Sequence, residues 1–318
     1  MPSRDIIAKE ITRGDRQDLL RRKYLKELSE KTGRNTILYA TAYGSKKLSI
    51  QQLPDILVSI TQEDIQGFMA AIHGLKGDEL DLIIHSPGGS AEVTEQIVYY
   101  LRKKFNHIRA IVPQNAMSAA TMLCCGCDEL IMAKHSAIGP IDPQMSIVAP
   151  NGGRFLLPAQ SILAEFDQAK KEVIQNPELA ALWVTRINSY PHGFFQKCRD
   201  TIDLSRIMVR DWLDKYMYRH LPNGEKPGEN ISKWLCKTSE HKSHGRPLNF
   251  DVVYKKGLRV KLLEDDQEIQ DLVLSIFHAT MITFDITNCV KLIENNKGKG
   301  WFSIVEVQKM PSIKPPNR

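Results

Sequence analysis

No uninterrupted run of 18 or more apolar residues occurs in the 318-residue chain, and Met1-Pro2-Ser3-Arg4-Asp5 carries no apolar signal core. Neither membrane spanning nor export is therefore expected, and a cytoplasmic location is. No internal repeat is present, and nothing in the composition marks disorder, collagen or a low-complexity fibre: 42% of residues are hydrophobic, 25% charged and 7% aromatic. The length suits one large domain with a smaller appendage. A concentrated basic stripe is also lacking. Of the formal charge of +6, residues 1–35 hold ten Lys/Arg against six Asp/Glu and residues 309–318 hold three against none, which leaves the remainder at −1. Such charged ends read as solvated segments, so no nucleic-acid partner is expected. Cysteine is sparse and poorly spaced for a disulfide framework, with Cys124, Cys125 and Cys127 together and Cys198, Cys236 and Cys289 scattered. Reduced thiols follow.

What is present is an alternation of short apolar runs and amphipathic stretches. Leu20, Tyr24 and Leu28 before Gly33 predict an amphipathic N-terminal helix arm within residues 1–35, followed by a strand at Thr36–Tyr39. A helix begins at Thr61, with Ile65, Phe68, Met69 and Ile72 on one face. Leu82-Ile83-Ile84 reads as a strand, Val93 to Leu101 as a helix, Ile108–Val112 as a second strand, and Glu129–Ala133 as a third after a helix near Met117. This order implies β-α-β crossovers and a largely parallel sheet, an α/β fold filling residues 36–265. Helices are expected at 161–175 and 198–217, and a loop at 221–230 from its Pro and Gly content. Residues 266–310 read as a C-terminal helix (Ile269–Phe277) plus a hairpin about Asn-Lys-Gly-Lys-Gly, and 311–318 as a disordered tail.

Two features carry chemistry. The first is the turn Ser86-Pro87-Gly88-Gly89-Ser90, where glycines after a strand let backbone amides face an anion; the second is Ser118, at a helix start where amide dipoles favour negative charge. Apart, they are a tight turn and a helix cap. Together they would make a nucleophile and an oxyanion hole. Cys124-x-x-Cys127 lacks further ligands at zinc spacing and reads as buried packing, and His241-x-x-His244 reads as structural, so no metal or other cofactor is expected.

Four segments resemble the serine dehydrogenase proteinase family of the Clp-protease/crotonase superfamily, which also contains signal peptide peptidase A. They are Thr32-Gly33-Arg34-Asn35, Leu82-Ile83-Ile84-His85-Ser86-Pro87-Gly88-Gly89, Val112 to Met122 (Val-Pro-Gln-Asn-Ala-Met-Ser-Ala-Ala-Thr-Met), and His135 to Gln144 (His-Ser-Ala-Ile-Gly-Pro-Ile-Asp-Pro-Gln). The resemblance spans residues 18–265 and implies a Clp/crotonase-like fold, peptide-bond hydrolysis, a protein or peptide substrate and a homo-oligomer. It makes Ser118 the nucleophile and puts the oxyanion hole at the amides of Gly88, Gly89 and Ala119. The proton acceptor departs from the Clp pattern: about 25 residues past the serine, where a Clp protease has its histidine, stand Ile141, Asp142, Pro143 and Gln144. The signal peptide peptidases instead use a lysine roughly fifty residues beyond the serine, where this chain has Lys170 and Lys171. At about 100° per residue, Lys170 falls on the shoulder of the apolar face formed by Ile162, Phe166, Ala169 and Val173, while Lys171 points away. Lys170 is therefore the expected base, lowered by desolvation. The pair His135 and Asp142 is the rival, and His85 is expected to orient the glycine turn. Acyl-CoA chemistry on the same fold, or a non-catalytic assembly protein that has lost its base, are the competing functions. The role of the stretch His244-Gly245-Arg246-Pro247, shared with the family, does not follow from its residues.

Overall fold

The computed structural model describes residues 2–12, 16–46, 54–148, 152–222 and 225–305. At its centre lies a seven-stranded sheet of five parallel strands with an antiparallel pair at one edge. A smaller sheet joins β4 (Asn115–Ala116), β6 (Ala137–Ile138) and β9 (Leu248–Asn249), the last leading into α11 (Phe250–Lys255). The parallel strands of the central sheet are β1 (Asn35–Thr41), β2 (Glu79–His85), β3 (His107–Val112), β5 (Glu129–Met132) and β10 (Val260–Leu262). Their side chains alternate between two cores, as a pleated strand requires: Ile37, Tyr39, Leu82, Ile84, Ala110 and Val112 face one side, and Leu38, Ala40, Ile83 and Ile111 the other. Both faces are covered. That is why stretches such as Ile37-Leu38-Tyr39-Ala40 and Leu82-Ile83-Ile84 read as continuous apolar runs rather than as alternating ones.

The first face carries α3 (Glu63–Ile72), α4 (Ala91–Lys104), α5 (Ala119–Cys125), α8 (Phe194–Trp212) and α9 (Pro227–Cys236). The second carries α2 (Gln17–Thr32) and α12 (Gln267–Ile286). Helix α12 is long and apolar enough to cross a membrane by length and composition, but 67% of its most apolar window is buried inside the protein, as in a core helix. The N-terminal helix α1 (Arg4–Thr12) and α2 pack on it through Ile7 and Leu20 against Ala279 and Ile282. Arg21, fully buried, reaches from α2 to Glu294 at 2.7 Å.

The C-terminal hairpin, β11 (Cys289–Asn295) and β12 (Gly300–Ile304), lies antiparallel beside β1 and lengthens the central sheet. Residues 306–318, including the expected tail, fall outside the described residues. The loop expected at 221–230 is shorter than its composition implied. Pro227 opens α9, a position where its missing N–H is no loss and its fixed φ suits a helix. A hairpin, β7 (Gln144–Val148) with β8 (Arg154–Pro158), and the helices α6 (Ala159–Gln175) and α7 (Ala180–Ile187) build out from one end of the sheet. Their small core joins Met145, Ile162, Tyr190 and Cys198.

Candidate active site

The site begins where β2 ends. Ser86 N–H donates to the Asn115 carbonyl at 3.0 Å, and Met117 N–H donates to the Ser86 carbonyl at 2.9 Å, so the glycine turn and the segment leading to Ser118 are stitched together. Gly88 (φ 98°) is pressed so close that a Cβ there would lie 2.6 Å from the Met117 oxygen and 2.8 Å from Ser118 Cβ. Only glycine permits that approach. The two features that were ambiguous apart are thus one structure.

Ser118 precedes α5 with φ 51° and ψ −120°, a region that side-chain-bearing residues avoid. Its hydroxyl neither caps the helix nor meets another partner among the described residues, and the side chain stays partly exposed. A sharp strained turn that presents a serine ahead of a helix is how hydrolases of several folds expose a nucleophile. Ala119, first in α5, has no intrahelical acceptor for its N–H. No acceptor holds the N–H of Gly89 or Ala119 among the described residues.

Ser118, Gly88, Gly89 and Ala119 line a cavity of about 940 Å³. Ile141, Pro143 and Gln144, in the segment after β5, line it too. Gly139 N–H donates to Thr121 Oγ1 at 2.9 Å and Ile141 N–H to the Leu235 carbonyl at 3.0 Å, which fixes Asp142 between α5 and α9. Asp142 is 1% exposed and accepts from Gln144 Nε2 at 2.9 Å, Thr238 Oγ1 at 3.2 Å and His244 Nδ1 at 2.8 Å. His244 lines the same cavity as Ser118. It follows the short helix α10 (Thr238–His241) through Lys242, which at φ 66° is the other non-glycine residue of positive φ among those described. Against an ionised Asp142, which only accepts, the contact is made by the Nδ1–H tautomer of His244, in which Nε2 is the acceptor.

The model of the ClpP-like SDH-type serine proteinase family matches residues 6–187. The chain belongs to that family. Two uncharacterized proteins of Methanocaldococcus jannaschii are similar to it, one 29% identical over 245 residues (76% of this chain, 73% of that protein) and one 28% identical over 230 residues (71% and 67%). Among solved structures, the 1510-N membrane-bound stomatin-specific protease, in a mutant form, aligns at 14% identity with a TM-score of 0.35, covering 62% of this chain and 69% of that one. The α/β class and the parallel-rich sheet accord with the family's ClpP-like fold. The matched segment contains Ser118 and Asp142 and ends before His244.

Three of the expected site residues lie apart from Ser118 or are otherwise engaged. Lys170 is 53% exposed, pairs with Asp167 at 2.7 Å along its own helix, and lines a separate apolar groove with Val173, Ile174 and Trp183 rather than the Ser118 cavity. Helical periodicity identified the buried face of α6 correctly, as Ile162 and Ala169 show, but that face packs on α8 and away from the serine. His135 is exposed on the turn after β5, while the histidine on Asp142 is His244. Gly88 is not an open donor, since its N–H is held by Ser86 Oγ at 3.2 Å. Two of the three amides remain.

The hydrogen bond of His85 goes to Tyr43 rather than to the glycine turn it was expected to orient. His85 is fully buried, its Nε2 lies 2.9 Å from the Tyr43 carbonyl, its ring meets Phe277 edge-on, and burial lowers its pKa to about 4. All six thiols are unpaired and buried, and burial raises Cys127 to about 12, so these are packing groups. His241 Nε2 lies 2.7 Å from the Trp234 carbonyl. Among the described residues no cluster of three His, Cys, Asp or Glu side chains could hold a metal.

Proposed function

We propose that this protein hydrolyses peptide bonds through an acyl-enzyme on Ser118, with His244 as general base and Asp142 as its orienting carboxylate. The observation that carries the reading is the 2.8 Å contact of His244 Nδ1 with buried Asp142 on the wall of the cavity that also exposes Ser118. Ser118 Oγ attacks the scissile carbonyl and His244 Nε2 takes its proton; the imidazolium is stabilised by Asp142. The charge moving onto the carbonyl oxygen is met by the N–H groups of Gly89 and Ala119. His244 returns the proton to the leaving amine, and water deacylates Ser118 by the same route reversed. Every group is supplied by the chain.

A second reading is a latent or non-catalytic member, favoured by the absence of a Ser118–His244 hydrogen bond. Assembly would then complete the site. Leu182 (68% exposed), Ile174 (80%) and Val184 (56%) on the outer helices support self-association of this chain. One experiment tests both readings. A fluorophosphonate probe is offered to wild type and to Ser118→Ala, His244→Gln and Lys170→Ala at defined oligomeric states. An adduct on Ser118 that is lost with Ser118 or His244 and kept without Lys170 supports the triad. Loss with Lys170 restores the dyad, and no adduct in any assembly state favours the latent protein.

A further inference from the structure

The peptide plane that joins Gly88 to Gly89 has two ends. Its N–H is the open donor on the cavity wall, and its oxygen, on the opposite side of the trans plane, accepts from Ile60 N–H at 2.7 Å. Ser90 N–H then donates to the Ile60 carbonyl at 3.0 Å, so Ile60 grips Gly89 from both sides as a short parallel bridge. The fit is close enough that a Cβ on Gly89 (φ 153°) would lie 2.3 Å from Ile60 N. Whatever fixes Ile60 therefore fixes the direction of the Gly89 N–H, and the bond to the far oxygen polarises that donor.

Ile60 is fixed through Thr61. Thr61 N–H donates to Asp64 Oδ2 at 2.9 Å, the carboxylate reaching back over the start of α3 to an otherwise orphaned amide. Asp64 is fully buried and also accepts from Tyr39 OH at 3.1 Å. Lys291, 2% exposed on β11, donates to Asp64 Oδ1 at 3.1 Å and to Thr61 Oγ1 at 3.0 Å. A buried ion pair of this kind is weak evidence of stabilisation, since desolvation of both charges opposes their attraction. Its geometry, however, is specific. Each of its hydrogen bonds converges on the residue next to Ile60 or on the carboxylate that holds that residue.

We infer that Asp64, held by Lys291 and Tyr39, is a positioning residue that aims the Gly89 oxyanion donor at the substrate carbonyl. The inference rests on the reading of Ser118 and Gly89 given above. It makes the C-terminal hairpin a working part of the site, because β11 supplies the lysine.

The test compares Asp64→Asn, Lys291→Met and the milder Tyr39→Phe with wild type, using p-nitrophenyl butyrate as substrate and fluorophosphonate to count competent Ser118 sites. Working below each variant's unfolding midpoint, kcat per titrated site is expected to fall about tenfold or more in the first two and a few-fold in the third, with KM nearly unchanged. A purely structural role would lower the number of titrated sites and the unfolding midpoint but leave kcat per site at the wild-type value, and that result overturns the inference. If only Tyr39→Phe folds, an unchanged kcat per site in that variant overturns it equally. Wild-type protein that takes no adduct on Ser118 refutes the nucleophile assignment and this inference with it.

Discussion

His244 Nδ1 and Asp142 Oδ1 meet at 2.8 Å across 102 residues of chain. Asp142 occupies the register in which a Clp protease carries its histidine, and the histidine arrives instead from the turn after α10. If this pair works as the base, Asp142→Asn, which favours the wrong imidazole tautomer, should cost about 10³–10⁴ in kcat with little change in KM. Steady-state hydrolysis of a chromogenic ester checks this, and activity within tenfold of wild type would refute it.

Ser118 sits at φ 51°, so part of the protein's stability is spent on presenting it. Both Ser118→Ala and Ser118→Gly abolish the nucleophile, but only glycine relaxes the backbone. The glycine variant is expected to be more stable than the alanine variant by about 1 kcal/mol in urea unfolding. Equal midpoints would show that the turn is not strained.

Lys170→Ala should leave ester hydrolysis within about twofold of wild type, because the side chain is solvent-exposed and engaged with Asp167 along its own helix. Thermal unfolding should shift little. A large loss of kcat with normal folding would bring the lysine back into the mechanism, through another subunit.

His85 gives the fold a pH dependence of its own. Burial lowers its pKa from the ordinary 6.5 to about 4, so the unfolded chain binds more protons than the folded one between these values. Stability contributed by the neutral ring is complete above about pH 6.5 and is lost as pH falls toward 4, a swing of about 3 kcal/mol. Urea unfolding at pH 7.5 and 4.5 should show it. His85→Met, which keeps an apolar body in the same space, should flatten the difference, and an unflattened profile would assign it to other groups.

The strands were legible because their signal is local. Leu82-Ile83-Ile84 and Ala110-Ile111-Val112 are buried on both faces, and a doubly buried strand is an apolar run whatever lies above it. Ser118 and the glycine turn were legible through the order of their motifs. His244 was not, because its meaning depends on a contact that only the packing of α9 and α10 against Asp142 creates. Lys170 shows the reverse failure: periodicity reports which face of α6 is buried and is silent on what lies opposite. Gly88 and Gly89 differ by one hydrogen bond, the one that the Gly88 N–H donates to Ser86 Oγ, a distinction that no spacing carries.

The place of β11 in the sheet has a consequence for biosynthesis. Lys291 is translated about two hundred residues after Gly89, yet its ammonium group neutralises a carboxylate on the helix that follows the Ile60 clamp. A ribosome-bound chain that has not yet extruded β11 leaves β1 as an open sheet edge and Asp64 without its cation. Closure of the sheet edge and neutralisation of the carboxylate that holds Thr61 therefore arrive in the same late step of chain extension.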